Sequence, residues 1–473
     1  MGGERILIRA GKDPRTVLSP EAALAYHPHS SFGTNIGNAL FSDSVWRLLS
    51  VPQAELTADA FSLERVSSGR NWAEFVNDHY DRYVLPMANA FRRGAATWLD
   101  RLSGIIERLT IPVTVVGVGA NLHRDGSPGF DSAMAESVAR FMRAVLEHSA
   151  LVGVRGEMTA TYLKTLGFSE EHVQVIGCPS VYLNGPDYSV TRRTDEINTD
   201  SPLSLCIAPP EAFFAGSVAY HVATYPRLIY VPQETSDLAM MVWGVNRADR
   251  VYAEEMPATT SHVLFQQDRM RFPLDSSVWV DMLRPMHVSF GTRIHGVIAG
   301  LLAGVPGFTV PFGSRILELS RYHEIPTIAR KKVTAGFDIA TEYESGDWSA
   351  YNAGLKPRFE VLTRFLETNG LTHIYQEGQD NPAFDAEIAA TRYPPPVHPL
   401  VEASPTFDQD RSSRLAWLQQ GEMGDLSENE FVYHPPFLVS ADIDDVAQET
   451  SQTVSVTKSC QDPSTVGLLN RSV

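Results

Sequence analysis

The stretch IPVTVVGVGA at 111–120 narrows the folds open to this chain more than any other. It is continuous, rich in β-branched residues and ends in Gly-x-Gly, so it reads as a strand buried on both faces that runs into a loop. WLDRLSGIIERL (98–109) before it and FDSAMAESVARFMRAVLEHS (130–149) after it carry apolar residues at helical spacing. ALVGVR (150–155) then reads as a strand, EMTATYLKTL (157–166) as a helix closed by Gly167, and VQVIG (173–177) as a strand. Strand and helix alternating at this spacing predict a parallel α/β sheet. The polar stretch 184–202 reads as a linker. A second series follows. SLCIAP, LIYVPQ, MHVSF (286–290) and PGFTVPF (306–312) are strand-like; SDLAMMVWGVNRADR, RIHGVIAGLLAG (293–304) and SRILELSRYHE (314–324) are helical. The expected architecture is two sequential α/β domains, 1–190 and 200–372, with a cleft between them and a closing helix over 351–370. Residues 373–473 are expected to form an acidic, partly irregular tail.

A chain of 473 residues with a net charge of −17 argues against general nucleic-acid binding. The charge is uneven, however. Residues 401–473 hold twelve acidic and four basic side chains, so eight of the seventeen excess negative charges lie in the tail. An anionic substrate is therefore compatible with the total. The start, MGGERILIRAGKD, has no signal-like apolar run, and the most apolar segment, 296–312, is interrupted by Pro306 and Pro311. With three cysteines and no disulfide framework, these features predict a cytoplasmic protein. No metal-ligand spacing, Gly-x-Ser-x-Gly elbow or Walker loop occurs.

One turn is written twice, as SFGTNIGNAL (31–40) and SFGTRIHGVI (289–298). In the second copy Gly291 permits a sharp turn and Thr292 is expected to cap a helix whose first turn holds Arg293, Ile294 and His295. A helix N-terminus with an added guanidinium and imidazole is an anion site. FGSRILEL repeats the design, with Ser314 as the expected cap and Arg315 at the first helical position. Arg155 ends the strand before the 157–166 helix. All three turns leave the carboxyl ends of predicted parallel strands, where open α/β folds place ligands. The first copy is uncharged; Asn35, Gly37 and Asn38 suit sugar hydroxyls, and Glu157 is a candidate base for one of them. Each residue also has a plainer reading: a surface arginine, a histidine satisfied by a neighbour, or a glutamate facing a helix dipole.

FGTRIHGVIAGLLAGVP followed by SRILELSRYHEIP resembles the signature region of the polysaccharide pyruvyl transferase family. GTNIGNALFSDSVWRLL, VLPMANAFR, IPVTVVGVGAN, GVRGEMTATYLKTLGF and VIGCPS resemble further family blocks in family order, from about 26 to 370. The resemblance implies two Rossmann-like domains in a GT-B-like arrangement. It implies transfer of the enolpyruvyl group of phosphoenolpyruvate to two hydroxyls of a sugar, giving a pyruvate ketal on a polysaccharide such as an exopolysaccharide. Arg155, Arg293 and His295 match positions implicated in donor binding and catalysis, with His295 as general acid. Gly291, Thr292, Ser314 and Arg315 join them as expected donor contacts. The implied partners are phosphoenolpyruvate and a sugar or lipid-linked oligosaccharide, which would bring the protein to the membrane surface. No cofactor and no metal are expected. The sequence departs at Phe312 and Gly313, where a His-Asp pair is expected. The competing readings are a GT-B glycosyltransferase using a nucleotide sugar and a non-catalytic glycan-binding relative.

Overall fold

The computed structural model describes residues 3–25, 30–62, 70–247 and 251–423. Its first half is built on the parallel strands β1 (Glu4–Ile8), β2 (Ala54–Ala58), β3 (Arg82–Pro86) and β4 (Val113–Val116), in the order β2-β1-β3-β4. A parallel bridge from Val118 to Val154 carries the sheet on to β5 (Val152–Val154) and β6 (Val173–Val175). All four residues of β4 are buried, as a strand covered on both faces requires. The helices Ala96–Ile106 and Ser132–Leu146 supply part of that cover, through Leu99, Leu102, Val138 and Phe141.

The second half repeats the plan with β7 (Leu203–Leu205), β8 (Ile229–Tyr230), β9 (Val288–Gly291) and β10 (Gly307–Thr309), all parallel in the order β10-β9-β7-β8. The helix Ile294–Leu302 is buried along its whole length. Its small residues explain this: a Cβ on Gly296 would lie 2.5 Å from Cys206 Cβ, and one on Gly300 2.6 Å from Ser289 Cβ. The chain is thus built from two Rossmann-like α/β halves, each on a parallel sheet.

β1, β2 and β3 were not expected as strands. Each has only five residues and begins or ends on a charged or small one, so none shows the long apolar run that marks β4. The helix in SDLAMMVWGVNRADR stops at Trp243, where Gly244 turns left-handed at φ +68; the last residues of that stretch, 248–250, lie outside the described residues. The closing helix is Ser349–Thr368, and its end returns to the first half. Asn369 Oδ1 accepts hydrogen bonds from Ser149 Oγ (2.8 Å), Ala150 N–H (3.0 Å) and Leu151 N–H (3.1 Å). Beyond it the expected tail carries two helices, Pro382–Ala390 and Phe407–Met423, while 424–473 lie outside the described residues. Among the described residues no helix is long and apolar enough to cross a membrane.

Candidate functional site

The strand-end turns of both halves open on one cleft of about 1070 Å³. Among the described residues lining it, six are arginines (Arg9, Arg92, Arg155, Arg247, Arg293, Arg315) and one, Glu234, is acidic. A chain of net charge −17 has therefore gathered cations at one place, which favours an anionic ligand.

Arg155 follows β5 and is 1% exposed. Its Nε donates to the Gly117 carbonyl at 3.2 Å, while Nη2 is buried without a hydrogen-bond partner. Burial lowers its pKa. Gln233, 2% exposed, likewise holds a buried Nε2 without a partner. Orphaned buried donors are rare in folded proteins, and both of these side chains belong to residues that line the cleft. Arg315 is pushed down to about 9, by burial first and then by Arg155, Arg293 and Arg92. A guanidinium crowded by others is relieved by an anion. Arg293 pairs with Glu234, which also takes Arg247, and Arg247 reaches on to Asp237 at 2.6 Å. Burial pushes the Glu234 carboxyl up, but Arg293 and Arg247 outweigh it and leave the pKa below the ordinary value.

His295 lies among these arginines and is 8% exposed. Burial, then Arg155, Arg315 and Arg293, push its pKa down to about 3, so the ring is neutral in the ligand-free protein. The first copy of the repeated turn lies directly against it. A Cβ on Gly37 would sit 2.3 Å from His295 Nδ1, so only glycine fits opposite the histidine. The same loop is laced to the second half: Ile36 N–H donates to the Gln233 carbonyl at 2.9 Å, and Asn35 forms a β-bridge with Glu234. The two copies are thus packed together, rather than facing each other across open space.

Residues 35–313 match the polysaccharide pyruvyl transferase family. The chain belongs to that family. Membership places it among the pyruvyl transferases of polysaccharide biosynthesis, with a sugar or polysaccharide as acceptor. No curated protein matches the sequence. Among solved structures, the chain is similar to UDP-GlcNAc 2-epimerase from Neisseria meningitidis bound to UDP-GlcNAc, at 11% identity and TM-score 0.42, over 77% of this chain and 100% of that one. It is also similar to the S. aureus MnaA–UDP structure, at 13% identity and TM-score 0.37, over 83% and 99%. The glycosyltransferase SnogD from Streptomyces nogalater matches at 11% identity and TM-score 0.28, over 78% and 98%.

Within this family member the expected site residues divide. Arg155, Thr292, Arg293, His295, Arg315, Asn35 and Asn38 line the cleft, and Phe312, of the departing pair, lines it too. Two capping expectations are corrected. The Ile294–Leu302 helix has Arg293, not Thr292, at its N-cap, because the Thr292 hydroxyl accepts the Ala208 N–H at 2.9 Å. The Ser314–His323 helix has Gly313 at its N-cap, so Ser314 is the first helical residue and Arg315 the second. The Ser314 hydroxyl instead accepts the Leu122 N–H at 2.9 Å and is fully buried, tying the loop after β4 to the second half. Gly291, at φ +149, is demanded by backbone: a Cβ would lie 2.0 Å from the Cys206 carbonyl oxygen. Glu157 begins its helix but is exposed and lies outside the cleft lining. The sequence alone did not single out Arg9, Arg92, Arg247, Gln233 and Glu234. Arg9 follows β1 directly and Gln233 and Glu234 follow the strand-like LIYVP, so the strand-end rule that found Arg155 applies to them as well.

Proposed function

We propose that this protein transfers the enolpyruvyl group of phosphoenolpyruvate to two hydroxyls of one sugar in a glycan, forming a pyruvate ketal. The observation that carries the reading is the grouping of Arg155, Arg293 and Arg315 around His295, with the buried Arg155 Nη2 lacking a partner. Carboxylate and phosphate on one small molecule match guanidinium groups set around one imidazole.

In this reading Arg155 and Arg315 take donor oxygens, and Arg293 turns between Glu234 and the donor. His295 is neutral while the cleft holds only cations. The donor's negative charge offsets those cations and raises the histidine's proton affinity, so the ring becomes charged when the donor is bound. It then protonates the methylene carbon, creating an oxocarbenium-like centre at C2. One sugar hydroxyl adds there and its proton restores the ring. The second hydroxyl displaces phosphate, which leaves with the other proton. Two hydroxyl hydrogens are lost, one to the new methyl group and one to phosphate, so no cofactor or metal enters the balance. The acceptor lies over Asn35 and Asn38, and a lipid-linked acceptor would hold the protein at a membrane surface.

The test is titration calorimetry of the full-length protein with phosphoenolpyruvate and, separately, with uridine and guanosine diphosphates. Assay of phosphate release with galactosides, glucosides and mannosides follows. Saturable phosphoenolpyruvate binding and sugar-dependent phosphate release are expected. Absence of binding at millimolar donor, or binding of a nucleoside diphosphate in its place, overturns the reading.

A further inference from the structure

The block VIGCPS takes no part in either sheet beyond β6, nor in the donor contacts. Gly177 turns the chain with φ +73, and Cys178 then precedes the 3-10 turn Pro179–Tyr182. That turn packs against both the Gly37–Leu49 and the Ile294–Leu302 helices, which begin with the two copies of the repeated turn. Cys178 is fully buried, and its Sγ lies 3.7 Å from His295 Nε2. The same thiol donates to Ser180 Oγ at 3.3 Å. On the other side of the ring, Nδ1 sits over Gly37, where a Cβ would be only 2.3 Å away. The imidazole is held edge to edge between a thiol and a glycine.

A neutral imidazole carries one N–H, and the partner of one nitrogen decides which nitrogen bears it. With the thiol hydrogen directed to Ser180, the sulfur lone pairs face Nε2, which favours a hydrogen there. The other charged groups acting on the ring are Arg155, Arg315 and Arg293, which have no lone pair to offer an N–H. We infer that Cys178 is a positioning residue that fixes the Nε2–H tautomer of His295, leaving Nδ1, on the Gly37 side, as the nitrogen that exchanges the proton during pyruvyl transfer. This rests on the proposed role of His295. The proton taken up at Nδ1 with the donor passes to the methylene carbon, the ring returns to the Nε2–H form, and an acceptor hydroxyl recharges it. Nε2–H never leaves the sulfur.

The test is the ring nitrogen spectrum of the full-length protein, labelled with 15N-histidine, at pH 7 without donor. A His295→Asn sample assigns the signals. The wild type is expected to show a protonated Nε2 and a bare Nδ1 at His295. Cys178→Ala is expected to give a mixture of tautomers and to lower kcat at least about tenfold, with KM for phosphoenolpyruvate within about twofold. Cys178→Ser keeps a lone pair at this position and is expected to restore one tautomer and most of the rate. A wild-type spectrum with the proton on Nδ1 overturns the inference, even if Cys178→Ala does not fold. So does a folded Cys178→Ala protein whose tautomer and kcat–pH profile are unchanged. The spectrum needs no donor, so a wild type with the expected tautomer that ignores phosphoenolpyruvate sinks the donor assignment alone.

Discussion

At the scale of single residues, the decisive feature is a histidine that the fold keeps neutral. His295 and His323 are both pushed down to about 3, by burial first and by nearby arginines second. In the unfolded chain each returns towards 6.5, the value for free histidine. Between those values the unfolded chain binds protons that the folded one refuses, so stability is full above pH 6.5 and falls as the pH drops towards 3. Each histidine should cost about 2 kcal/mol between pH 7 and pH 5. Urea unfolding at pH 5, 6 and 7 checks this, and His323→Asn should flatten the dependence by about that share. Donor binding should reverse part of the effect at His295. Calorimetry at pH 6.5 in buffers of different ionisation enthalpy should show a proton taken up with phosphoenolpyruvate, and His295→Asn should abolish the uptake. A donor affinity that does not tighten between pH 8 and pH 6 would count against the charged ring in the complex.

At the scale of elements, close packing sets where the arginines point. β9 ends at Gly291, whose φ of +149 places the chain against Cys206 of the neighbouring strand-end loop. Gly291→Ala combines a strained backbone with a Cβ 2.0 Å from a carbonyl oxygen, and should cost at least about 2 kcal/mol. Gly296→Ala meets Cys206 Cβ and Gln233 Nε2 at 2.5 and 2.6 Å and should cost about 1–3 kcal/mol. Thermal and urea unfolding measure both; a Gly291→Ala protein as stable as the parent would show that the turn relaxes without loss. The helix in the second copy of the turn was legible from its pattern, but its cap was not. Thr292 has the right chemistry to cap, yet Ala208 N–H reaches its hydroxyl first, and that N–H lies eighty-four positions away in sequence.

At the scale of the whole molecule, the site exists because two halves are held together. Asn369, after the closing helix, satisfies three groups at 149–151 with one side-chain oxygen. Asn369→Ala removes that cap at the seam and should cost about 1–3 kcal/mol, read as a lower urea midpoint. It should raise KM for donor as well, because β5, which Arg155 directly follows, begins just after this seam. The cleft's charge also has a global consequence. Among the described residues six arginines line the cleft of a chain of net charge −17, so the attraction for a small anion is local and screened by salt. Raising sodium chloride from about 0.05 to about 0.5 M should lower kcat/KM for phosphoenolpyruvate several-fold. A rate indifferent to salt would argue that the arginines are neutralised within the protein.

The sequence by itself determined the fold class, the alternation of strands and helices, and which turns carry charge. These follow from local patterns: the long apolar run at β4, the helical spacing after β9, and arginines placed directly after strands. It also determined that one turn is written twice. Only the tertiary structure decided what that repetition does. Gly37 stands where the other copy has His295, and the two are in contact, so the glycine in one turn makes room for the histidine in the other. Distance in the chain hid this contact, because a side chain's neighbours across a cleft are set by how the two sheets are joined and leave no mark on the residues beside it in sequence.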